Sequence, residues 1–203
     1  EIMKIATKYN LPVIEDSAQT MGAFYKKKHG GTFGLAGAIS CHPLKNLNAL
    51  GDGGLLLTND DEVAAKVRRY RNHGLEGRDN CVEYGVNSRL DVLNAEVLNF
   101  RLTKLNDVVR KRQRNVNFYR EMIKTDKIKI PSENSYQFNA YVMCLCLCEK
   151  RDDLKKFLEK KGIETLVYYG TPLHMHEAAK RFKYKKGDFP NAEYQCDSVL
   201  ALP

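Results

Sequence analysis

The sequence predicts an α/β protein: part of a large domain with a mixed or parallel sheet, followed by a smaller α+β domain. Short apolar runs that end at Gly, Asn or Asp alternate with longer stretches of helical periodicity, and this alternation is typical of α/β folds. The 203 residues are 43% hydrophobic and 29% charged, which indicates a globular chain with a core rather than a disordered one.

The first half of the chain predicts strands that are separated by turns and followed by a helix. The helix over 60–74 has the clearest signal, because acidic residues open it, arginines close it and Gly74 stops it. The predicted elements are, in order, a helix over 2–9, a strand over 11–16, an exposed hairpin or loop over 24–31, strands over 35–42 and 53–59, and the helix over 60–74.

The second half predicts long helices first and shorter strands afterwards. Its predicted elements are a loop over 75–89, helices over about 90–103 and 104–124, strands over 128–131, 140–148 and 164–169, and a helix over 152–162. The helix at 2–9 has no N-cap residue ahead of it, so we expect the sequence to be a piece of a longer protein.

The formal net charge of +8 comes from several clusters of basic residues. These are either solvated faces or a surface that attracts a polyanion, which is nucleic acid or a phosphate-bearing small molecule. The sequence has no zinc-finger spacing and no RNP-type aromatic motif, so we expect no nucleic-acid partner. No apolar run approaches the roughly 18 residues of a transmembrane helix, so we expect no membrane partner.

Three of the six cysteines, Cys144, Cys146 and Cys148, alternate with apolar residues and therefore share one face of a predicted strand. They form a metal site or are small buried hydrophobes. No CxxC pair or nearby histidine supports the first alternative, so we expect no metal. The cysteine spacing does not indicate a secreted disulfide framework, which favours a reducing, cytoplasmic setting.

Asp16 and Gln19 follow the predicted strand over 11–16. Ligands of open α/β sheets bind outside the carboxyl ends of the strands, so Asp16 is in a position to bind one. The alternative is that its carboxylate caps the next turn. If residues 17–20 form a helical turn, Gln19 lies on an adjacent part of the same face.

Ser40 and Lys45 bracket a Gly- and Asn-rich bend, SCHPLKNLNALGDGG, after the next predicted strand. A lysine in a partly enclosed site loses proton affinity, and its neutral amine attacks carbonyl carbons. The alternative is an ordinary exposed loop lysine. A strand-end Asp combined with Ser and Lys in the next strand-end loop favours a site for pyridoxal phosphate, which needs a lysine, a carboxylate and phosphate donors.

These motifs closely resemble the DegT/DnrJ/EryC1/StrS aminotransferases. The segments that carry the resemblance are VIEDSAQTMGAFYKKKHGGTFG, SCHPLKNLNALGDGG, TNDDEVAAKVRRYRNHG and YGVNSRLDVLNAEVL, and it continues through YYGTPLH to SVLALP. The resemblance implies a pyridoxal-phosphate-dependent transferase of fold type I whose N-terminal part is absent from this sequence. It also implies three regions: 1–88 as the C-terminal part of the large cofactor-binding domain, 89–124 as connecting helices and 125–203 as the small domain.

The resemblance implies a role for each motif residue. Lys45 forms the Schiff base with the cofactor and moves the proton, and Asp16 keeps the pyridine nitrogen protonated. Gln19 contacts the region of the phenolic oxygen, and Ser40 donates to the phosphate. Asn87 reaches the phosphate in the neighbouring subunit, which implies a homodimer with shared sites.

Substrate contacts are implied for His73, Arg89 and His174, although His174 is equally explained as a structural histidine. The implied reaction moves an amino group from L-glutamate onto a nucleotide-linked keto-sugar. Alternatives are an inactive, truncated scaffold of the same fold, a related sugar dehydratase and a basic regulatory protein. Dehydratases of this fold have histidine in place of the reactive lysine, so Lys45 argues against that class.

Overall fold

The computed structural model describes residues 1–203, which divide into two compact units. The first unit comprises Glu1–Gln113 and Glu133–Val142, and the second comprises Arg114–Ser132 and Met143–Pro203. The sequence-based division into 1–88, 89–124 and 125–203 stays a prediction.

Six α-helices and eleven strands follow one another along the chain. The helices are α1 (Ile2–Lys8), α2 (Asp61–Tyr70), α3 (Val92–Leu102), α4 (Leu105–Met122), α5 (Arg151–Lys160) and α6 (Pro190–Ser198). The strands are β1 (Ile14–Asp16), β2 (Phe24–Tyr25), β3 (Lys28–His29), β4 (Ala36–Ser40), β5 (Gly54–Leu57), β6 (Leu75–Glu76), β7 (Asn80–Cys81), β8 (Ile128–Lys129), β9 (Gln137–Phe138), β10 (Cys144–Cys148) and β11 (Val199–Leu202). Two short 3-10 helices span Leu173–Met175 and Glu177–Phe182.

The main sheet of the first unit is mixed, as the sequence predicts. Its strand order is β1-β4-β5, with β1 parallel to β4 and β5 antiparallel to it. The register pairs Asp16 with Ala38, and Ser40 with Gly54. The carboxyl ends of β1 and β4 therefore lie at the same edge of this sheet.

A basic hairpin forms where the sequence predicts a hairpin or loop. Strands β2 and β3 pair around Lys26 and Lys27, whose positive φ angles of 48° and 67° suit a tight two-residue turn. Strand β9 adds to the other side of β2 and pairs Phe138 with Phe24. Segment 133–142 thereby belongs to the first unit.

The core of the first unit lies beneath the loop between β4 and β5. Its buried members come from that loop, from α3, from α4 and from segment 133–142: Cys41, Leu47, Ala49, Leu98, Leu105, Val109 and Ala140. Helix α2 begins at an N-cap, because Asp60 Oδ1 accepts a hydrogen bond from the Val63 N–H at 2.9 Å.

The second unit is built on a sheet with the order β11-β10-β8, in which both pairings are antiparallel. Cys144, Cys146 and Cys148 are buried on one face of β10, which confirms the shared face that the sequence predicts. Burial raises the pKa of the Cys146 thiol, so it stays protonated and acts as a small hydrophobe. The surrounding core includes Leu154 and Leu158 of α5.

Two predictions from the sequence differ from the structure. The predicted strand over 164–169 is wrong, because this segment makes only a single bridge, between Leu166 and Ala201 of β11. The predicted loop over 75–89 contains the short hairpin of β6 and β7. No helix is both long enough and apolar enough to span a membrane.

Candidate functional site

Two candidate side chains stand at the carboxyl ends of neighbouring parallel strands. Asp16 is the last residue of β1, and Ser40 is the last residue of β4. Paired residues share a face of the sheet, and so do residues two positions apart on a strand. Because Asp16 pairs with Ala38, the side chains of Asp16 and Ser40 lie on one face, at the edge where open α/β sheets bind ligands.

One oxygen of Asp16 closes the turn that follows β1. Its Oδ1 accepts a hydrogen bond from the Ala18 N–H at 3.1 Å, whereas Oδ2 accepts none. The Ser17 N–H donates to Ala38 O at 2.9 Å and ties the turn to β4. Gln19 is exposed in the same turn. Asp16 thus caps the turn, as the structural alternative predicted, and still has one oxygen for a ligand.

Lys45 lies in an irregular bend, residues 41–53, between β4 and β5. Two backbone hydrogen bonds close the base of the bend: Cys41 N–H donates to Gly53 O at 2.7 Å, and Ala49 N–H donates to Cys41 O at 2.8 Å. Nearer the tip, Lys45 N–H donates to His42 O at 2.8 Å. The Lys45 side chain is half-buried and forms no ion pair, so no carboxylate holds its amine.

Ser40 and His42 organise the first residues of the bend. The Ser40 hydroxyl oxygen accepts from the His42 N–H at 3.2 Å, and His42 Nδ1 accepts from the Leu44 N–H at 3.2 Å. Because Ser40 uses its oxygen as an acceptor, its own O–H proton remains able to donate to an anion.

The underside of the bend is packed into the core. Cys41, Leu47 and Ala49 are each at most 3% exposed. Burial raises the pKa of the Cys41 thiol, so this cysteine packs as a neutral side chain rather than serving as a nucleophile. The apolar residues of the bend therefore fix one side of it, while Lys45 lies on the partly accessible side.

Asn46 ties the bend to distant parts of the chain. Its Nδ2 donates to Ala140 O at 2.9 Å and to Met21 O at 3.5 Å. Asn46 is 5% exposed, and its Oδ1 is buried without a hydrogen-bond partner. The residue directly after Lys45 is thus immobilised by contacts that no local sequence pattern indicates.

The structure brings His73, Asn87 and Arg89 together. Asn87 forms an antiparallel bridge with Asn72, and the His73 N–H donates to Val86 O at 3.0 Å. The Arg89 Nε donates to Asn87 Oδ1 at 2.8 Å. The chain near 73 and the chain near 87 therefore run side by side, and both side chains of the Asn87–Arg89 pair are exposed.

Leu90 connects this paired segment with the Lys45 bend. A Cβ atom added to Gly53 would lie 3.1 Å from Leu90 Cδ1, so Leu90 packs directly on the base of the bend. Arg89 precedes this contact by one residue.

Residues 1–203 match the DegT/DnrJ/EryC1/StrS aminotransferase family over their whole length. The chain belongs to this family. The membership confirms the resemblance that rests on the motifs around Asp16, Lys45 and Asn87.

Two curated relatives of the DegT/DnrJ/EryC1/StrS family are each 37% identical to this chain. One is a pleiotropic regulatory protein from Geobacillus stearothermophilus. The alignment with it covers 100% of this chain and 55% of that relative. The other is dTDP-3-amino-3,6-dideoxy-alpha-D-galactopyranose transaminase from Aneurinibacillus thermoaerophilus, with 98% of this chain and 54% of the relative covered. The chain thus spans about half the length of the curated relatives it matches.

A solved structure of the same fold is that of DesV from S. venezuelae, in complex with a ketimine intermediate. It is 32% identical, with a TM-score of 0.94, and the match covers 100% of this chain and 55% of DesV. The similarity confirms the sequence-based prediction of the fold of this aminotransferase family.

The donor set at the sheet edge fits pyridoxal phosphate, the cofactor that the family implies. Such a cofactor needs an amine for its aldehyde carbon, a carboxylate for its ring nitrogen and donors for its phosphate. Lys45 has an amine without an ion-pair partner, Asp16 has an oxygen that accepts no hydrogen bond, and Ser40 has an uncommitted hydroxyl proton.

His174 lies in the second unit and has a full set of structural contacts. Its Nε2 lies 2.9 Å from Glu193 Oε1, and its ring packs on Phe189 with 4.8 Å between ring centroids. Only 7% of the His174 side chain is exposed. These contacts account for His174 without a substrate, and its substrate role stays a prediction.

Sequence reasoning did not single out Glu15, the neighbour of Asp16. Its carboxylate accepts three backbone hydrogen bonds, from the N–H groups of Gly31 at 2.8 Å, Phe33 at 2.6 Å and Gly34 at 2.7 Å. The only local signal is that Glu15 alternates with Asp16 and therefore faces the other side of the sheet. Glu15 fixes the chain that leads into β4.

Proposed function

We propose that this chain is part of a pyridoxal-phosphate-dependent aminotransferase that moves an amino group from L-glutamate onto a nucleotide-linked keto-sugar. The observation that carries the proposal is the position of Lys45. It lies half-buried and without an ion pair in the bend that follows β4, and the last residue of β4, Ser40, is on the same face of the sheet as Asp16. Membership of the aminotransferase family supports the same reading.

The residues that would hold the cofactor are Lys45, Asp16, Gln19, Ser40 and Asn87. When bound, pyridoxal phosphate supplies an aldehyde that exchanges amino groups and a ring that accepts electrons from the substrate carbon. Asp16 would hold the proton on the ring nitrogen through Oδ2, the oxygen that the Ala18 turn leaves unused. Ser40 would donate its hydroxyl proton to the phosphate, and Gln19 would contact the ring.

Lys45 has two tasks in this proposal. Its amine would hold the aldehyde group of the cofactor, and its Nζ would accept and return a proton during the reaction. Both tasks require an amine that no carboxylate holds, and Lys45 forms no ion pair. The presence of lysine at this position also argues against a sugar dehydratase.

Nucleotide-linked sugars carry a diphosphate, which suits a chain with a net charge of +8. The relative from Aneurinibacillus thermoaerophilus is named as a transaminase of a dTDP-linked sugar, which supports the same substrate class. Substrate contacts are proposed for His73 and Arg89, whereas the contacts of His174 with Glu193 and Phe189 account for it without a substrate. The Arg89 guanidinium, held by Asn87 at 2.8 Å, is the group suited to an anionic part of the substrate.

The assembly that we propose is a cytoplasmic homodimer in which Asn87 reaches the phosphate in the neighbouring subunit. Three large apolar side chains within six residues of Asn87 in the sequence support an interface there, since Tyr84, Val92 and Leu93 are 99%, 83% and 80% exposed. The division into 1–88, 89–124 and 125–203 belongs to the same proposal, with residues 1–88 as part of the large domain.

The test is the visible absorption spectrum of the purified protein after addition of pyridoxal phosphate and then of L-glutamate. We expect an absorption band from the lysine-bound cofactor that bleaches with glutamate and is absent from Lys45→Ala. A Lys66→Ala variant is the control, because Lys66 is an exposed residue of α2. If neither this chain nor a longer protein that contains it gives a lysine-dependent band, the aminotransferase proposal is wrong and an inactive scaffold remains.

A further inference from the structure

Helix α3 places one stripe of side chains along the Lys45 bend. Asn94, Leu98 and Arg101 are spaced at i, i+4 and i+7 and therefore share a face of the helix. Asn94 Oδ1 accepts from the Leu50 N–H at 2.9 Å, and Arg101 Nη1 donates to Asn48 O. Leu98, between them, is 6% exposed and belongs to the core beneath the bend.

These two hydrogen bonds satisfy backbone groups of the bend that would be paired with other backbone groups in a helix or a sheet. The bend is neither helix nor strand, and the carbonyl of Asn48 and the N–H of Leu50 have no backbone partner. A backbone polar group that loses water without gaining a partner is costly, so an irregular segment needs side chains to satisfy it. Asn94 and Arg101 satisfy these two groups from one helix.

The anchored stretch begins directly after Lys45. Asn46 is held by Ala140, Asn48 by Arg101 and Leu50 by Asn94. On the other side of Lys45, the chain is held by the turn to His42. The orientation of the Lys45 amine therefore depends on how firmly residues 46–50 are fixed.

We propose that Asn94 and Arg101 are positioning residues for Lys45. They hold the backbone of residues 48–50, and through it they keep the lysine amine half-buried at the sheet edge. The chemical task assigned to that amine rests on the proposed aminotransferase function. The hydrogen bonds by which α3 holds the bend do not depend on that function.

The experiment compares Asn94→Ala and Arg101→Met with two control variants on exposed positions of the same helical region. Asn99→Ala makes the same kind of change as Asn94→Ala on the outer face of α3, and Arg110→Met matches Arg101→Met on α4. Arg101→Lys keeps the positive charge and a donor, so it is the conservative variant that tests rescue.

Two readouts need no cofactor. Hydrogen exchange reports protection of the amides in residues 42–50, and acetic anhydride labelling followed by mass spectrometry reports the reactivity of Lys45 relative to exposed Lys66. We expect exchange in 42–50 to rise about tenfold in Asn94→Ala and Arg101→Met, since each loses a hydrogen bond worth roughly a factor of ten. In the same two variants, we expect acetic anhydride to label Lys45 more strongly relative to Lys66. Both readouts should stay unchanged in the control variants. Arg101→Lys should keep most of the protection from exchange that Arg101→Met loses.

The proposal is overturned if residues 42–50 stay protected in both variants, or if exchange rises equally throughout the first unit. If Arg101→Met does not fold, Asn94→Ala and Arg101→Lys decide the question by the same readouts. Failure of the aminotransferase proposal would appear separately, as a missing lysine-dependent absorption band.

Discussion

Glu15 and Asp16 are adjacent carboxylates that serve opposite faces of one sheet. Side chains alternate along β1, so Asp16 faces the side of Ser40 while Glu15 faces the chain that leads into β4. The three N–H groups that Glu15 binds lie 16 to 19 residues further along the chain. Glu15 thus fixes the position of β4, and with it the start of the Lys45 bend.

Replacing Glu15 by Gln tests this role. The amide keeps the shape but loses the negative charge, and one of the two acceptor oxygens becomes a donor that faces N–H groups. We expect the free energy of unfolding to fall by about 1–3 kcal/mol, measured by urea denaturation. Glu96→Gln on the exposed side of α3 is the matched control. An unchanged urea midpoint for Glu15→Gln would contradict the assigned role.

The sequence singles out some residues of the candidate site and misses others for a physical reason. Asp16, Ser40 and Lys45 can be proposed because their positions at strand ends and in a Gly-rich bend can be read from neighbouring residues. Glu15 and Asn46 were missed because their partners are far away in the sequence; the Ala140 carbonyl, for example, is 94 residues from Asn46. Only the assembled fold brings those partners within reach.

At the scale of elements, β4 approaches the preceding turn so closely that glycine is required. A Cβ atom on Gly37 would lie 2.2 Å from the carbonyl oxygen of Gly31. Because this oxygen belongs to the backbone, it cannot move aside as the end of a flexible side chain can. Gly37→Ala should therefore lower the free energy of unfolding by more than about 2 kcal/mol. Gly51→Ala is the control, because nothing lies within 4 Å of its added Cβ. Equal melting temperatures for the two variants would contradict this packing.

The carboxylate of Glu193 holds the turn before α6. Hydrogen bonds from the backbone N–H of Gly187, and further ones from His174 and the Phe189 N–H, lower the pKa of this carboxyl. A lowered folded-state pKa means that the charged form stabilises the fold above the ordinary value of 4.5, and that this contribution is lost as the pH falls through the folded-state pKa.

Glu193→Gln should therefore lower the melting temperature at neutral pH, and the difference from the unmodified protein should shrink as the pH falls below 4.5 and through the folded-state pKa of Glu193. Thermal unfolding followed by circular dichroism between pH 3 and 8 measures this. Glu164→Gln, an exposed position in the same unit, is the control. A difference that stays constant across this range would show that the charge of Glu193 is not what stabilises the turn.

The elements also show where local patterns stop being sufficient. The helices α2, α4 and α5 were predicted because helical periodicity marks them within their own sequence, and the charged ends of α2 mark it further. The apolar run over 164–169 looks like a strand, yet it makes only one bridge, between Leu166 and Ala201 of β11. The pairing of β10 with β11 joins residues about 50 positions apart, and no local pattern indicates it.

At the scale of the whole molecule, the proposed sharing of the site makes subunit exchange informative. If Asn87 serves the neighbouring subunit while Lys45 serves its own, a dimer of one Lys45→Ala chain and one Asn87→Ala chain contains one intact site and one doubly damaged site. Random pairing makes about half of all dimers mixed, so about a quarter of the sites recover function.

The measurement is bleaching of the lysine-dependent absorption band by glutamate, before and after the two variants are unfolded and refolded together. The control mixture pairs Lys45→Ala with Asp16→Ala. Both residues belong to one chain at the same sheet edge, so each site in a mixed dimer keeps one defect and no recovery is expected. Mixed dimers that form without recovery in the Asn87 mixture would mean that Asn87 acts within its own chain, and the Arg89 that it holds would then also contact substrate in that chain.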